Sequence, residues 1–423
     1  MNLTKKIIVI VDAISSGEHY VSAFIGHGYQ CVHIGFDVGP FNTAKIAEGK
    51  DYVENIVATD DNLEYIVARL KKYDIKAVVA GSERGVPLAD KIADRFSVKK
   101  NPVSSSLNRR NKFLIIEALS KANVPCAKQY CSADLDELIE WYQNAASKKV
   151  VFKPTLSALS ESVYICENVS NIERAYSETK GKENILGIVN ADFVLQEYLD
   201  GKEYIVNSVS NDGEHFITDI WVGVGGIENR ISTDQYAETI TKEDPEFDIL
   251  SQYVKKVLDA VEIKNGPAHS EIKMTLQGPK LIEVGARLAG SLHFAVLEEV
   301  NHYSQLSLAI ETYLSPDLFK DKIEIYKKLP QKKIRFVYFC SYIEGIVIKK
   351  PDLKFIFQLP SVQTVSFYLQ KGDRLHKTNE VVGRPGYAFL VGDQKVVEED
   401  YLRLRQLERE LYETITQPDH INE

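Results

Sequence analysis

Cysteine is scarce and unpatterned. Cys31, Cys126, Cys131, Cys166 and Cys340 are odd in number, scattered, and form no C-x-x-C pair. Such a set excludes a disulfide framework and argues against zinc, so free buried thiols in a reducing cytoplasm are expected. Positive charge is in deficit, with 51 Lys and Arg against 60 Asp and Glu and a formal net charge of −9. That balance excludes a general nucleic-acid binder and a protein adhering to anionic membranes. Long apolar runs are missing: no segment reaches the roughly 20 residues that span a bilayer. The N-terminal KIIVIV run is too brief for a signal-peptide core and is closed by Asp12. Two phosphate fingerprints are absent. No G-x-G-x-x-G follows the first strand-like run, which leaves nicotinamide binding unsupported, and no G-x-x-x-x-G-K-[ST] occurs anywhere. No internal repeat or low-complexity tract is found.

What is present is an ordinary globular composition, with 44% hydrophobic and 26% charged residues, in a chain of 423 residues long enough for two or three domains. The most informative stretch is 268–294, AHSEIKMTLQGPKLIEVGARLAGSLHF. Apolar and polar residues alternate over 269–276 and again over 281–284, which predicts two strands joined at a Gly-Pro turn. Side chains alternate faces along a strand, so Ile272, Met274 and Leu276 are expected toward a core and Glu271, Lys273 and Thr275 away from it. An odd number of loop residues puts Glu271 and Glu283 on one face, opposite or nearly so; a two-residue turn puts them on opposite faces. Facing carboxylates destabilise a ladder unless a cation lies between them. Mg²⁺ suits that position, because it takes hard oxygen ligands and phosphate oxygens together. Arg287 lies in a Gly- and Ala-rich turn, where a guanidinium suits a two-pronged grip on phosphate or carboxylate. A surface hairpin with solvated charges is the plain alternative.

Along the chain, strand and helix patterns alternate from residue 6 to about 95, which implies a parallel sheet with ligands at the carboxyl ends of its strands. Glu83 in GSERG follows one such end, and is equally a candidate ligand contact and an acidic helix start. Residues 104–124 read as a helix capped by Asn108 or a nearby serine, and ended at Pro125. Lys112 near its start opposes the helix dipole, a conflict that a bound phosphate removes. KVVFKP (149–154) ends in Lys153 and leads into TLSALSES (155–162), a hydroxyl-rich loop able to hold phosphate. FVLQEY (193–198) and KEYIVNSV (202–209) read as strands, GVGG (223–226) as a loop, 233–240 as a stretch without period, 302–314 as a helix ended at Ser315-Pro316, and 326–330 as a connector. Beyond lie strand-like runs and a charged helix over 398–415, which together suggest a separate α+β lobe.

Six pieces in order carry a resemblance: GSERGVPLADKIA, RRNKFLIIEALSKANVP, VVFKP with its Ser loop, VLQEYLDGKEY, GPAHSEIKMT and LIEVGARLAGSLHF. The chain resembles the ATP-grasp superfamily over nearly all its length and, within it, the bacterial L-amino-acid ligases that make dipeptides, including peptide antibiotics; the arginine-preferring kind is the nearest subgroup. The resemblance implies an α/β and α+β multidomain protein: a parallel-sheet pre-ATP-grasp domain over 1–103, an ATP-grasp domain over 104–328 with a lid at about 125–195, and a C-terminal α+β lobe over 329–423. It implies that Lys112 and Lys153 contact ATP phosphates, that Ser157, Ser160 and Ser162 close over them, that Gln196, Glu197, Tyr198 and Leu199 meet adenine, and that Glu203 holds the ribose. Glu271 and Glu283 would ligate two Mg²⁺, with Mn²⁺ as a substitute. Arg287 would steady the acyl phosphate, and Glu83, His269, Gly290 and Ser291 would lie near the amino-acid pocket. Two departures stand out. The phosphate loop lacks glycine, and Gly285 replaces an asparagine that many ATP-grasp proteins carry as a metal ligand. The implied partners are small amino acids, without nucleic acid or membrane; the oligomeric state is not legible, a homodimer being the commonest assembly. An ATP-grasp carboxylase, another carboxylate–amine ligase and a non-catalytic ATP binder are the rival readings.

Overall fold

The unbroken apolar run at the N-terminus makes the strand Lys6–Val11, in which residues 7–11 are wholly buried. A strand buried on both faces belongs inside a parallel sheet. It pairs in parallel with Gln30–Phe36 and with Asp74–Ala80, and Tyr52–Ala58 adds outside Gln30–Phe36. The computed structural model describes residues 5–38, 42–59, 61–158, 161–228, 231–290, 293–378 and 384–417, so Ser160 and Ser291 lie outside the described residues.

The chain divides into two compact units, the first made of Met1–Thr218, Ile249–Phe294 and Tyr303–Lys327, the second of Asp219–Asp248, Ala295–His302 and Lys328–Glu423. Besides the parallel sheet, the first unit holds an antiparallel sheet in which Gln129–Ser132, Phe193–Glu197, Val150–Pro154 and Tyr164–Cys166 lie side by side in that order. Helices Leu135–Asn144 and Val169–Thr179 pack Leu138, Tyr142, Ile172 and Ala175 against Phe152, Phe193 and Leu195 of that sheet. The first unit also holds the antiparallel run Lys202–Asn211, Gly266–Thr275 and Gly278–Gly285.

In the second unit Ile231–Ile240 pairs with Lys333–Tyr338, which pairs with Gly386–Gly392 and then Val362–Phe367, all antiparallel. Helix Gln394–Ile415 buries Val397, Tyr401 and Leu404 in the core of this unit.

Several expectations are corrected. GVGG is not a loop: it lies within the strand Glu214–Glu228, with Gly223 opposite Ala237 and a register shift after Val224. Glycines carry no alternation signal, and the partner strand Ile231–Ile240 supplies the ladder. Pro316 does not only stop a helix. It is the first residue of the next one, Pro316–Tyr326, where its missing N–H costs nothing. The cap of helix Lys112–Lys121 is Asn111, not Asn108; its side chain accepts from the amides of Phe113 at 3.0 Å and Leu114 at 3.1 Å. The five cysteines are free, though Cys126 and Cys131 are only partly buried. Among the described residues no helix is long and apolar enough to cross a membrane.

Candidate active site

The hairpin reaches the expected pairing by an unexpected route. Thr275 pairs with Gly278, so Leu276 and Gln277 form the tip and the Gly-Pro pair opens the returning strand. Leu276 is fully exposed rather than in the core, and Gly278 takes φ +100°, a conformation that favours glycine. A two-residue tip with unbroken register would set Glu271 opposite Ile282. Instead the register shifts between Glu271 and Ile272: Ile272 faces Leu281 and Glu271 faces Glu283. Ile282 is the extra residue, and this bulge turns Glu283 onto the face of Glu271.

That face borders a cavity of ≈ 420 Å³ in the first unit. Twelve of the residues singled out from the sequence line it: Glu83, Lys112, Lys153, Gln196, Glu197, Tyr198, Leu199, Glu203, His269, Glu271, Glu283 and Arg287. Asn111 caps its helix so that Lys112 begins the first turn, and Lys112 Nζ donates to Glu283 Oε1 at 2.7 Å and to the Ser157 carbonyl at 3.2 Å. Lys153 is the last residue but one of the strand Val150–Pro154 and donates to Gln196 Oε1 at 2.9 Å. Burial, then the neighbouring Lys112, push its ammonium down to about 8, against the pull of Glu283 and Glu271. Glu203 stands 3.0 Å from Lys273, its partner across the ladder.

The opposite end is set by the turn after Asp74–Ala80. A Cβ on Gly81 would stand 2.7 Å from the Ala13 Cα, and one on Gly85 2.6 Å from the Val11 carbonyl, so only glycine lets this turn close onto the first strand. The turn carries Glu83 to Arg287, whose Nε donates to Glu83 Oε1 at 3.1 Å and whose Nη2 donates to the same oxygen. Burial alone would raise the Glu83 carboxyl, but Arg287, then Arg110 and Lys112, hold it well below the usual carboxylate range. Glu271 is also lowered: burial works against ionisation, and the His269 contact at 3.5 Å together with Arg287 outweighs it. His269 Nδ1 is 2.9 Å from Asn207 Oδ1.

Not every expected residue arrives. Ser157 is buried and its hydroxyl has no hydrogen-bond partner; what it offers is its carbonyl. Ser162 and Gly290 do not line the cavity. The apolar wall of Val151, Ile165 and Ile282 went unnoticed in the sequence, and Ile165 is 52% exposed, unusual for a strand isoleucine. An apolar residue on the solvent side of a two-stranded pattern was the available signal. Among the described residues no group of three or more His, Cys, Asp or Glu side chains stands ready for a metal. Two facing carboxylates nevertheless fit Mg²⁺, which completes its shell with water and phosphate oxygens.

Residues 146–294 match the model of the ATP-grasp domain. Dapdiamide A synthase of Enterobacter agglomerans is 31% identical over 416 residues, covering 96% of this chain and 97% of that protein. An L-arginine-specific L-amino acid ligase of Bacillus subtilis is 21% identical over 286 residues, 64% of this chain and 68% of that one. The crystal structure of an L-amino acid ligase from Bacillus licheniformis shares the fold with a TM-score of 0.72 at 16% identity, covering 96% of this chain and 98% of that one. The chain belongs to the ATP-grasp ligases. Its fold is the ATP-grasp fold, its class of reaction is carboxylate–amine ligation, and ATP is its co-substrate.

Proposed function

We propose that this protein joins two unprotected L-amino acids into a dipeptide through an aminoacyl phosphate. The observation that carries the reading is the pairing of Glu271 with Glu283 on a cavity that also receives Lys112, Lys153 and Arg287. A nucleotide binder has no use for a guanidinium at the acyl end; a ligase does. In this reading residues 1–103 form the pre-ATP-grasp domain, 104–328 the ATP-grasp domain with its lid at about 125–195, and 329–423 the closing lobe.

The adenine packs against Val151, Ile165 and Ile282 and meets the backbone at Gln196, Glu197, Tyr198 and Leu199, while Glu203 takes the ribose hydroxyls. Lys112 and Lys153 neutralise phosphate oxygens. The first amino acid enters with its amine toward Glu83 and its carboxylate toward Arg287. Its carboxylate oxygen attacks the γ-phosphorus and ADP leaves. The second amine then attacks the acyl carbon and expels phosphate. Positioning and charge neutralisation supply most of the acceleration in such a transfer. Glu271 and Glu283 are the residues that would hold Mg²⁺, and the ion would neutralise phosphate charge there. Arginine as first substrate is the narrower proposal, supported by the name of the Bacillus subtilis relative.

The test is a phosphate-release screen over amino-acid pairs with product masses. Release that needs two amino acids, with a product at the dipeptide mass, is expected. Release that needs bicarbonate and no amino acid would replace this reading with a carboxylase. Arg287→Ala should lower turnover by roughly a hundredfold, the usual cost of removing a group that stabilises transition-state charge.

A further inference from the structure

Two adjacent arginines in RRNK have opposite surroundings. Arg109 is fully buried and, its Nε apart, well served: its guanidinium donates to Ser105 Oγ at 3.0 Å, to the carbonyls of Val261 and Pro102 at 3.1 and 2.6 Å, and to Asp90 Oδ2 at 2.8 Å. It ties the segment down. Arg110 is 5% exposed and almost idle. One hydrogen bond of 3.4 Å joins its Nη1 to the Ser157 carbonyl, and the nearest carboxylate oxygen, Glu83 Oε2, is 3.9 Å away. Its Nη2 is buried with no partner. A buried guanidinium held this loosely is costly unless an anion comes to it.

The local partners point to which anion. The other oxygen of Glu83 is already taken by Arg287, so one carboxylate serves two guanidinium groups. The Ser157 carbonyl that Arg110 touches is also the acceptor for Lys112 Nζ. An ammonium and a guanidinium converging on one neutral oxygen form a holder for a phosphoryl oxygen, with the carbonyl as its stand-in.

We propose that Arg110 grips the γ-phosphoryl group during its transfer, as a third cation beside Lys112 and opposite Arg287. The inference rests on the ligase reading above. In the step itself a carboxylate oxygen of the first amino acid forms a bond to the γ-phosphorus. The bond from that phosphorus to the β,γ-bridging oxygen breaks, and ADP leaves with the electron pair; no proton moves. Negative charge on the equatorial phosphoryl oxygens meets both Nη atoms of Arg110, so the interaction is stronger in the transition state than with bound ATP.

Two measurements test this on the full chain in magnesium. The first is amino-acid-dependent phosphate release. The second is the tightening of ADP binding when aluminium fluoride, a planar mimic of the transferring phosphoryl group, is added. Arg110→Met should cut turnover by about a hundredfold or more and abolish the tightening, with affinity for ADP alone within about threefold of wild type. Arg110→Lys keeps the charge and loses the fork, and should fall between. It also serves if the Met variant fails to fold. Retention of the tightening by Arg110→Met, or by Arg110→Lys at wild-type strength, overturns the proposal. So does a loss of ADP affinity as large as the loss of turnover, which would make Arg110 a support for the 155–158 segment. If the wild type shows no amino-acid-dependent release, the ligase reading fails instead, and the aluminium fluoride comparison still reads Arg110.

Discussion

The charged cluster of the cavity and the charged cluster under the closing helix are built from the same residue types and satisfied in different ways. In the second unit Glu408, 2% exposed, accepts from the Cys340 amide at 2.6 Å, from the Tyr412 hydroxyl at 2.7 Å and from Arg405. Arg405 spends its Nη2 on the carbonyls of Gln235 and Tyr338 at 2.7 and 2.9 Å. Each charge there is tied by several groups of its own unit, with Arg405 Nε the one atom of the pair left buried without a hydrogen bond. In the cavity, Glu271 faces Glu283 across a ladder and Lys153 has one side-chain amide for a partner; next to Ser157, just outside the cavity lining, Arg110 Nη2 has none. A charge that holds a fold uses most of its hydrogen-bonding capacity on the chain, as Arg109 and Arg405 do with every group but Nε. A charge that handles a ligand leaves capacity open, at a cost to stability.

The sharpest way to break this contrast is to remove charge from the hairpin. Glu271→Gln should lower ATP-dependent turnover by about a hundredfold or more, because it removes a proposed metal ligand. It should leave stability within about 1 kcal/mol of wild type, because relief of the like-charge pair with Glu283 is offset by loss of the His269 and Arg287 attractions that hold the Glu271 carboxyl low against burial. Steady-state kinetics and denaturant unfolding read the two effects. A variant destabilised beyond that range would mean that Glu271 is structural.

Under the closing helix the opposite split is expected. Glu408→Leu leaves Arg405 without its carboxylate and two further donors without an acceptor, and should cost about 3–5 kcal/mol of stability. Turnover per folded molecule, measured well below the new melting temperature, should be unchanged.

How much of this was legible in the sequence depends on what kind of signal each part leaves. The parallel sheet was readable because its strands are uninterrupted apolar runs such as KIIVIV. The strand through GVGG was not, because its register is imposed by the partner Ile231–Ile240 rather than by its own side chains. Alternation alone puts Glu271 opposite Glu283 only if the loop is odd; the tip has two residues, and it is the bulge at Ile282 that restores the parity. A bulge leaves no mark in composition. Arg109 and Arg110 were also inseparable by sequence. One residue of offset at the end of the short helix Val103–Arg109 sends one into a staple on Asp90 and the other toward the Ser157 carbonyl and Glu83.

Lys153 offers a graded test of the cavity side. Its ammonium titrates at about 8 in the free protein, so its help in binding phosphate is complete below that pH and fades above it. Affinity for ATP should fall about tenfold between pH 7 and pH 9.5, the size of one hydrogen bond to a charged group, and Lys153→Arg should flatten the profile. Stability moves the other way. Between about pH 8 and the ordinary lysine range the unfolded chain binds the proton that the folded one has lost, so this group's contribution to stability rises with pH through that window. Calorimetry of ATP binding across the range checks the first trend, and denaturant unfolding without ATP checks the second.

The smallest effect is expected at Gly285, where many ATP-grasp proteins carry asparagine. The position is buried and opposite His269 in the ladder. A Cβ there would stand 3.1 Å from Glu83 Oε1 and 3.3 Å from its Cγ. Glu83 therefore occupies the space that a longer side chain would need, and the missing asparagine is the condition for Glu83 to reach Arg287. Since the contact is with a side chain, it can give by a few tenths of an ångström. Gly285→Ala should then raise the KM for the first amino acid about threefold, with kcat and the KM for ATP nearly unchanged, because a methyl group's worth of crowding is all that is added. An equal rise in the KM for ATP would show that Gly285 serves the nucleotide end rather than Glu83.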